Sequence, residues 1–279
     1  MAHLHPDGGA RVRTAPHVRT ALHGAGRLAY LLALPAILLV LWWVLTAQST
    51  SFYFPPLRTI LSAFGKTWFS DRLMDDVLPS VLRLAAGYVG AVVLGVAIGV
   101  LIGSNRRIRL LAEPVLEFLR AVPPPVLIPV LMLFTGIGDT MKITVIVAGS
   151  LWPVLLNTAE GVRAIDDVLA DTARSYGLTG AARLRRLVLP SASPQIVTGM
   201  RQALSISIIL MVISEMFASS SGLGYTIVQF QRGFAVPEMW SGILLLGLLG
   251  FLLSLLFGRF EARVLRWHRG WRQAQKGES

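Results

Sequence analysis

Long uncharged stretches recur along the chain, separated by short clusters of charge. The runs 28–47, 84–105, 121–138, 143–159 and 239–258 contain no Asp, Glu, Lys or Arg. A helix needs about 20 apolar residues to cross a bilayer core. The run 143–159 is short and borrows residues 140–142 at its edge. A sixth stretch, 194–217, holds only Arg201 and Glu215. A helix separates these two by about 21 Å, so each can sit near one interface. The pattern predicts an all-α membrane protein with six transmembrane helices. The count falls to five if 194–217 or 143–159 does not span.

The loops set the orientation. The segments before 28, from 106 to 109, between the fourth and fifth helices, and after 258 hold 18 of the 26 basic residues. Lys and Arg mark the cytoplasmic side. All four segments share one side only if six helices span, so both termini are expected to be cytoplasmic. Residues 1–26 read as a disordered basic tail. Residues 27–79 hold the first helix and an outer loop, in which FYFPPL (52–57) reads as an aromatic anchor ending in a turn. Residues 80–260 form the main transmembrane domain, and 261–279 a second basic cytoplasmic tail. The first apolar run has 20 residues, longer than a signal-peptide core of roughly 7–15, and is expected to be a retained helix.

In the second helix Gly87, Ala91, Gly95, Gly99 and Gly103 recur every fourth residue. Such a stripe admits close approach of another helix. Packing within the chain is preferred to a dimer contact.

Composition narrows the class. Hydrophobic residues make up 54% and charged residues 15%, against roughly 25% charged in soluble domains. The net charge of +11 suits an anionic membrane surface. Basic and aromatic residues do not interleave as base stacking requires, so no nucleic-acid partner is expected. No cysteine is present, which removes disulfides and thiolate chemistry. His3 and His5 lack supporting ligands, so neither a metal nor a cofactor is expected.

Residues 163–190 stand out as a polar insert of about 28 residues, where a connection of 2–8 would suffice. ADTARSYG reads as a short helix, started by Asp166 or Asp167 and stopped by Gly177. LTGAARLRRLVLP reads as a second amphipathic stretch, which Pro190 ends or from which it opens the next helix. A lipid-surface element explains the arginines but not the Gly and Pro punctuation. An enzyme site lacks His, Cys and paired carboxylates. A docking surface for a soluble partner remains.

Asp171-Thr172-Ala173, three residues, Gly177, nine residues, then Leu187-Val188-Leu189-Pro190 resembles the EAA loop of ABC importer permeases, EAA-x3-G-x9-I-x-LP. Ala173, Gly177, Leu189 and Pro190 match. Asp171, Thr172 and Leu187 depart mildly. The runs LRAVPPPVLIPVLMLFTGIGD (119–139), WPVLLNTAEGVRAID (152–166) and SEMFASSSGLGYTI (214–227) resemble the permeases of the nitrate, taurine and aliphatic sulfonate class. The resemblance implies a multi-pass permease subunit of a bacterial inner-membrane importer, with 80–260 as its permease domain. It implies a coupling helix between helices four and five, with Asp171, Thr172, Ala173, Arg174, Gly177, Leu189 and Pro190 at the junction with a separate ATPase. The implied partners are a pair of ATPase subunits, an extracytoplasmic substrate-binding protein, a second copy of the permease and membrane lipids. It implies that the chain is a transporter subunit and not an enzyme. No G-x-x-x-x-G-K-[ST] loop occurs in the chain, as expected if a partner holds the ATP.

Further residues are candidates for the path or a gate. Pro123 and Pro124, with Pro125, break the third helix. They read as a path-lining segment or as a turn at the cytoplasmic interface. Glu215 reads as a path residue or as a structural partner of Lys142. Gly222 and Gly224 lie in the small-residue loop SSSGLGY, an outer gate or an ordinary turn. The rival class is a membrane-embedded transferase acting on lipid-linked substrates, which needs an interfacial cluster of His, Asp, Glu or metal ligands. A passive channel leaves the docking loop unexplained.

Overall fold

A computed structural model describes residues 33–34, 36–217 and 219–267. The tail 1–26 with its histidines, most of 28–35, and the tail beyond 267 lie outside the described residues. The chain divides into two units, the first ending at Thr59 and the second beginning at Ile60.

The first unit holds an apolar helix, α1 (Ala36–Thr46). Thr46 Oγ1 donates to the Trp42 carbonyl at 2.7 Å and accepts the Leu57 N–H at 3.3 Å. Ser49 Oγ donates to the Phe54 carbonyl at 2.6 Å. These bonds close the FYFPP loop into a compact turn. In sequence, α2 (Leu57–Trp68) runs from this unit into the next.

In the second unit every described element is helical. It comprises α3 (Leu78–Ser104), α4 (Arg106–Ala121), α5 (Leu127–Thr135), α6 (Asp139–Arg163), α7 (Asp167–Ser175), α8 (Gly180–Arg183), α9 (Leu189–Phe217), α10 (Leu223–Arg232) and α11 (Val236–Val264). Among the described residues, four helices are long and apolar enough to cross a membrane: Leu73–Ser104, Asp139–Arg163, Gly180–Phe217 and Val236–Val264. The pair α4 and α5 passes the same test jointly but bends by 76°. The run 121–138 is therefore not one straight helix. Val122 and Pro123 are extended, with ψ 118° and 124°. Each precedes a proline, whose ring disfavours helical backbone at the residue before it.

The tetrapeptide Val-Leu-Pro-Ser occurs twice, at 77–80 and 188–191. Each copy begins on the last residue of a widened π turn, Leu73–Val77 and Leu184–Val188. The N–H before each proline reaches back five residues, Leu78 to Leu73 and Leu189 to Leu184. Pro79 and Pro190 offer no N–H, and the widened turn accommodates the break in the ladder. Of the two roles expected of Pro190, it takes the second and opens α9.

The core is the stack α3, α6, α9. The small stripe of α3 lies against α6. A Cβ added at Gly95 would stand 2.7 Å from Val154 Cβ, and one at Gly99 would stand 2.6 Å from Thr158 Cβ. No side chain fits there, so the stripe serves packing within the chain, as expected. Near the middle of α6 and α9, Ser150 Oγ and Ser207 Oγ lie 2.7 Å apart, both buried. Large apolar residues of α11 such as Leu252 and Leu255 face outward, while Ser241 and Gly242 are buried. Small and polar inside with apolar outside is the arrangement lipid favours, because packing rather than water exclusion holds such helices together.

Candidate functional site

The polar insert folds into a capped knob. Asp166 accepts the Leu169 N–H at 3.1 Å and starts α7. At the other end Leu178 N–H bonds to Ala173 O at 2.9 Å, and Gly177 N–H bonds to Arg174 O at 3.0 Å. This bond pair is the Schellman closure, which places a left-handed residue after the helix. Gly177 supplies it with φ +68°. The start and stop read from the sequence both hold.

Ala173 is buried, whereas Asp171, Thr172, Arg174 and Gly177 are exposed. Arg174 pairs with Asp171 at 3.1 Å. The outer surface of α7 also carries apolar side chains that the sequence reading did not single out. Val168 is 73% and Tyr176 82% exposed, and Leu169 is exposed beside them. Their signal lay in the amphipathic spacing of 168, 169, 172 and 176 within a loop otherwise read for its arginines.

The knob is tied to the long helices. Leu187 and Val188 are buried, and Val188 packs with Val162 of α6 and Ala192 of α9. Leu189 and Pro190 continue directly into α9. α7 is thus joined to α6 by the short connection at 164–166 and to α9 through α8 and the Leu-Pro junction.

A second cluster occupies the far end of the same helices. Asp139 is the first residue of α6 and Arg163 the last, so the two ends lie about 36 Å apart. Glu215 of α9 is fully buried, at 0% exposure. Its carboxylate receives Arg83 Nη1 at 2.8 Å, Ser80 Oγ at 2.7 Å and the Gly224 N–H at 3.0 Å. Arg83 also donates through Nε to Asp139 at 2.7 Å, and to the Ser221 carbonyl and hydroxyl, each at 3.1 Å. Asp76 accepts the Gly222 N–H at 3.0 Å.

The pairing of Glu215 with Lys142 considered from sequence is not what forms. Arg83 takes that place, and the buried Lys142 stands 3.8 Å from Asp139. A guanidinium fork can serve several acceptors at once, which a single ammonium does less well. Arg83 was missed because it sits one residue before an uncharged run. Its signal was a lone cation at the same helix end as Glu215.

Gly222 and Gly224 wrap this carboxylate. Gly222 has φ +119°, and a Cβ there would lie 2.5 Å from the Glu215 carboxylate. The structure thus brings Glu215, Gly222 and Gly224 together. Pro124 lies elsewhere, against Gly149 of α6, where a Cβ would stand 2.9 Å from its ring. Pro123 is exposed beside it.

Comparison with known proteins places this geometry. The family described as binding-protein-dependent transport system inner membrane component matches residues 91–266. A putative aliphatic sulfonates transport permease protein of Bacillus subtilis (strain 168) is 30% identical over 242 residues, covering 86% of this chain and 88% of that protein. The taurine transport system permease protein of Escherichia coli (strain K12) is 31% identical over 240 residues, covering 84% and 87%. Among solved structures, a chain of the MetNI methionine ABC transporter in inward facing conformations superposes with a TM-score of 0.59 at 22% identity. It covers 69% of this chain and 96% of that one, a likeness of fold.

Proposed function

This chain belongs to the family of binding-protein-dependent transport system inner membrane components, and we propose that it conducts a small sulfonate, taurine or nitrate-type solute with α7 as the point where ATP-driven motion enters. It is the inner-membrane permease subunit of an ABC importer, not an enzyme. ATP hydrolysis belongs to a separate subunit, and a binding protein presents the solute. The family, both relatives and the fold neighbour are transport proteins, so the transferase alternative gives way. The sulfonate and taurine relatives support the solute class.

The observation that carries the coupling role is the knob itself. A capped helix exposes Val168, Leu169 and Tyr176, yet is buried at Ala173 and anchored through Val188. An exposed apolar patch on a rigid mount suits a partner groove. Asp171, Thr172, Ala173, Arg174 and Gly177 form or flank that surface, and Leu189 with Pro190 passes its motion to α9. Two ATPase subunits closing on ATP would carry the knob as a rigid body.

Six spans are proposed, with α1 in the first and with α3, the bent pair α4 and α5, α6, α9 and α11 as the rest. The arginine asymmetry supports cytoplasmic termini and a cytoplasmic α7. A second copy of this chain is the proposed partner across the path. The outward-facing Leu111 and Phe118 of α4 and Leu133 and Phe134 of α5 support that reading. Pro123 and Pro124 then sit where broken backbone borders the path, which a membrane tolerates in protein or beside water. Glu215, Gly222 and Gly224 are proposed to anchor an outer gate, with full burial of Glu215 favouring anchoring over contact with solute.

The test is purification of the tagged chain from its membranes in mild detergent. An ATPase subunit is expected in stoichiometric amount, and replacement of residues 171–177 by a Gly/Ser linker is expected to release it. Retention of the ATPase by the replaced chain removes the coupling role from α7.

A further inference from the structure

Partner docking leaves one feature of the α7 end unexplained. A pocket of about 370 Å³ lies between the ends of α3 and α6, the start of α4 and one flank of α7. That volume falls within the roughly 300–1,000 Å³ of small-molecule sites. Arg106, Arg109, Arg163, Arg174 and Arg183 line it, and Asp167 is the one acidic residue. Arg163 is held by Glu160 and Arg174 by Asp171. Among the described residues Arg106, Arg109 and Arg183 make no ion pair. Three arginines without an ion pair thus line one pocket that holds a single carboxylate, and like charges gathered there are eased by a bound anion.

We propose that this pocket binds the phosphate of an anionic phospholipid headgroup from the cytoplasmic leaflet. Guanidinium forks match phosphate oxygens in pairs, and basic pockets between helix ends suit such headgroups. The location selects a lipid over a soluble phosphate. Ser104 and Arg163 are the last residues of two long apolar helices, so the pocket lies where chain and bilayer both turn polar. Leu110 is exposed on α4 beside Arg109 and can meet an acyl chain. Docking and lipid use different faces of α7, with Arg174 on the lipid side where it flanks the docking surface. Asp167, Ala170 and Arg174 line the pocket, while Leu169, Thr172 and Tyr176 recur at helical spacing on another face. The bound headgroup bridges the knob to α3 and α4 and stiffens its mount. The inference rests on the orientation proposed above but not on the solute or on the ATPase.

The experiment is native mass spectrometry of the full chain, with its ATPase where that co-purifies, after exchange into phosphatidylcholine micelles spiked with phosphatidylglycerol. The wild-type chain is expected to retain phosphatidylglycerol. Arg106→Gln/Arg109→Gln/Arg183→Gln is expected to lose it, by about tenfold or more per arginine removed. Arg259→Gln/Arg263→Gln, two exposed arginines at the end of α11, is expected to retain it. Arg183→Gln alone, on the exposed α8, reads the same loss in a chain with less risk of misfolding. Equal retention by all variants overturns the proposal. Full competition by inorganic phosphate overturns the lipid source and assigns a soluble phosphate. Loss of the ATPase with unchanged lipid assigns the pocket to the partner protein instead, while intact ATPase binding with lost lipid separates the two sites.

Discussion

Arg83 and Glu215, 132 residues apart in sequence, meet at 2.8 Å with side-chain exposures of 6% and 0%. The pair joins the first turns of α3 to the last turn of α9. Arg83 extends the junction to Asp139 of α6 and to Ser221 in the loop before α10. One guanidinium thus ties three core helices and the loop at one end of the molecule.

Removal of one member should cost more than removal of both. Breaking a buried pair leaves an uncompensated charge and costs about 3–5 kcal/mol. Arg83→Leu is expected to lower the midpoint of thermal unfolding in detergent sharply. Arg83→Leu/Glu215→Leu is expected to recover part of that loss. A double variant as unstable as the sum of the two singles argues that the pair is not coupled.

Gly177 is constrained by φ +68° and not by space, since a Cβ there meets nothing within 4 Å. The left-handed conformation costs most residues about 1–2 kcal/mol, and Asn less than most. Gly177→Asn is expected to keep substantial transport, Gly177→Ala less. Gly177→Asp adds charge at the proposed docking surface and is expected to weaken coupling of ATP hydrolysis to transport. The readout is solute-stimulated ATPase activity in proteoliposomes at matched protein level. Wild-type coupling by Gly177→Asp contradicts the role given to this residue.

Tyr176 and Val168 are exposed, so their truncation should leave the fold unchanged. Aromatic anchors at interfaces often contribute about 2 kcal/mol or more. Tyr176→Ala and Val168→Asp are expected to reduce ATPase retention roughly tenfold or more, with an unaltered unfolding midpoint. Unchanged retention in both variants places the docking surface elsewhere.

Two glycines in apolar helices should answer the same substitution in opposite ways. Gly95→Ala places a methyl 2.7 Å from Val154 Cβ, whereas nothing lies within 4 Å of a Cβ at Gly247. Gly95→Ala is expected to cost about 1–3 kcal/mol through overpacking. Gly247→Ala is expected to be neutral or stabilising by up to about 1 kcal/mol from helix propensity. Folded yield and unfolding midpoint after purification check both, and equal behaviour refutes the α3–α6 contact described above.

What the sequence disclosed followed from the period and chemistry of single segments. Apolar runs announced α3, α6, α9 and α11. The fourfold spacing of Gly87 to Gly103 announced a close-packed face, and Asp166 with Gly177 bounded α7 nearly to the residue. The amphipathic α4 is hard to see in the letters because its charges, Arg106 to Arg120, mask its helical spacing. The 76° bend was foreseen as a break at Pro123–Pro125 but not as two short helices. Relations across the chain were less legible. Arg83 and Ser80 meet Glu215 only because α3 and α9 align at one end, which no local window records. The doubled Val-Leu-Pro-Ser was visible in the letters. Its meaning, a widened turn before each proline, required the backbone.

The Ser150–Ser207 contact has a mechanical meaning. Two buried hydroxyls facing each other midway along α6 and α9 fix the register of one helix against the other. A slip by one residue would separate them and leave each hydroxyl only the carbonyls of its own helix to bond, at the loss of one hydrogen bond of about 0.5–1.5 kcal/mol. Rotation about that point disturbs them far less. Placed midway, the pair is suited to a fulcrum: force applied at one end of the bundle is expected to emerge at the other as tilt rather than as sliding.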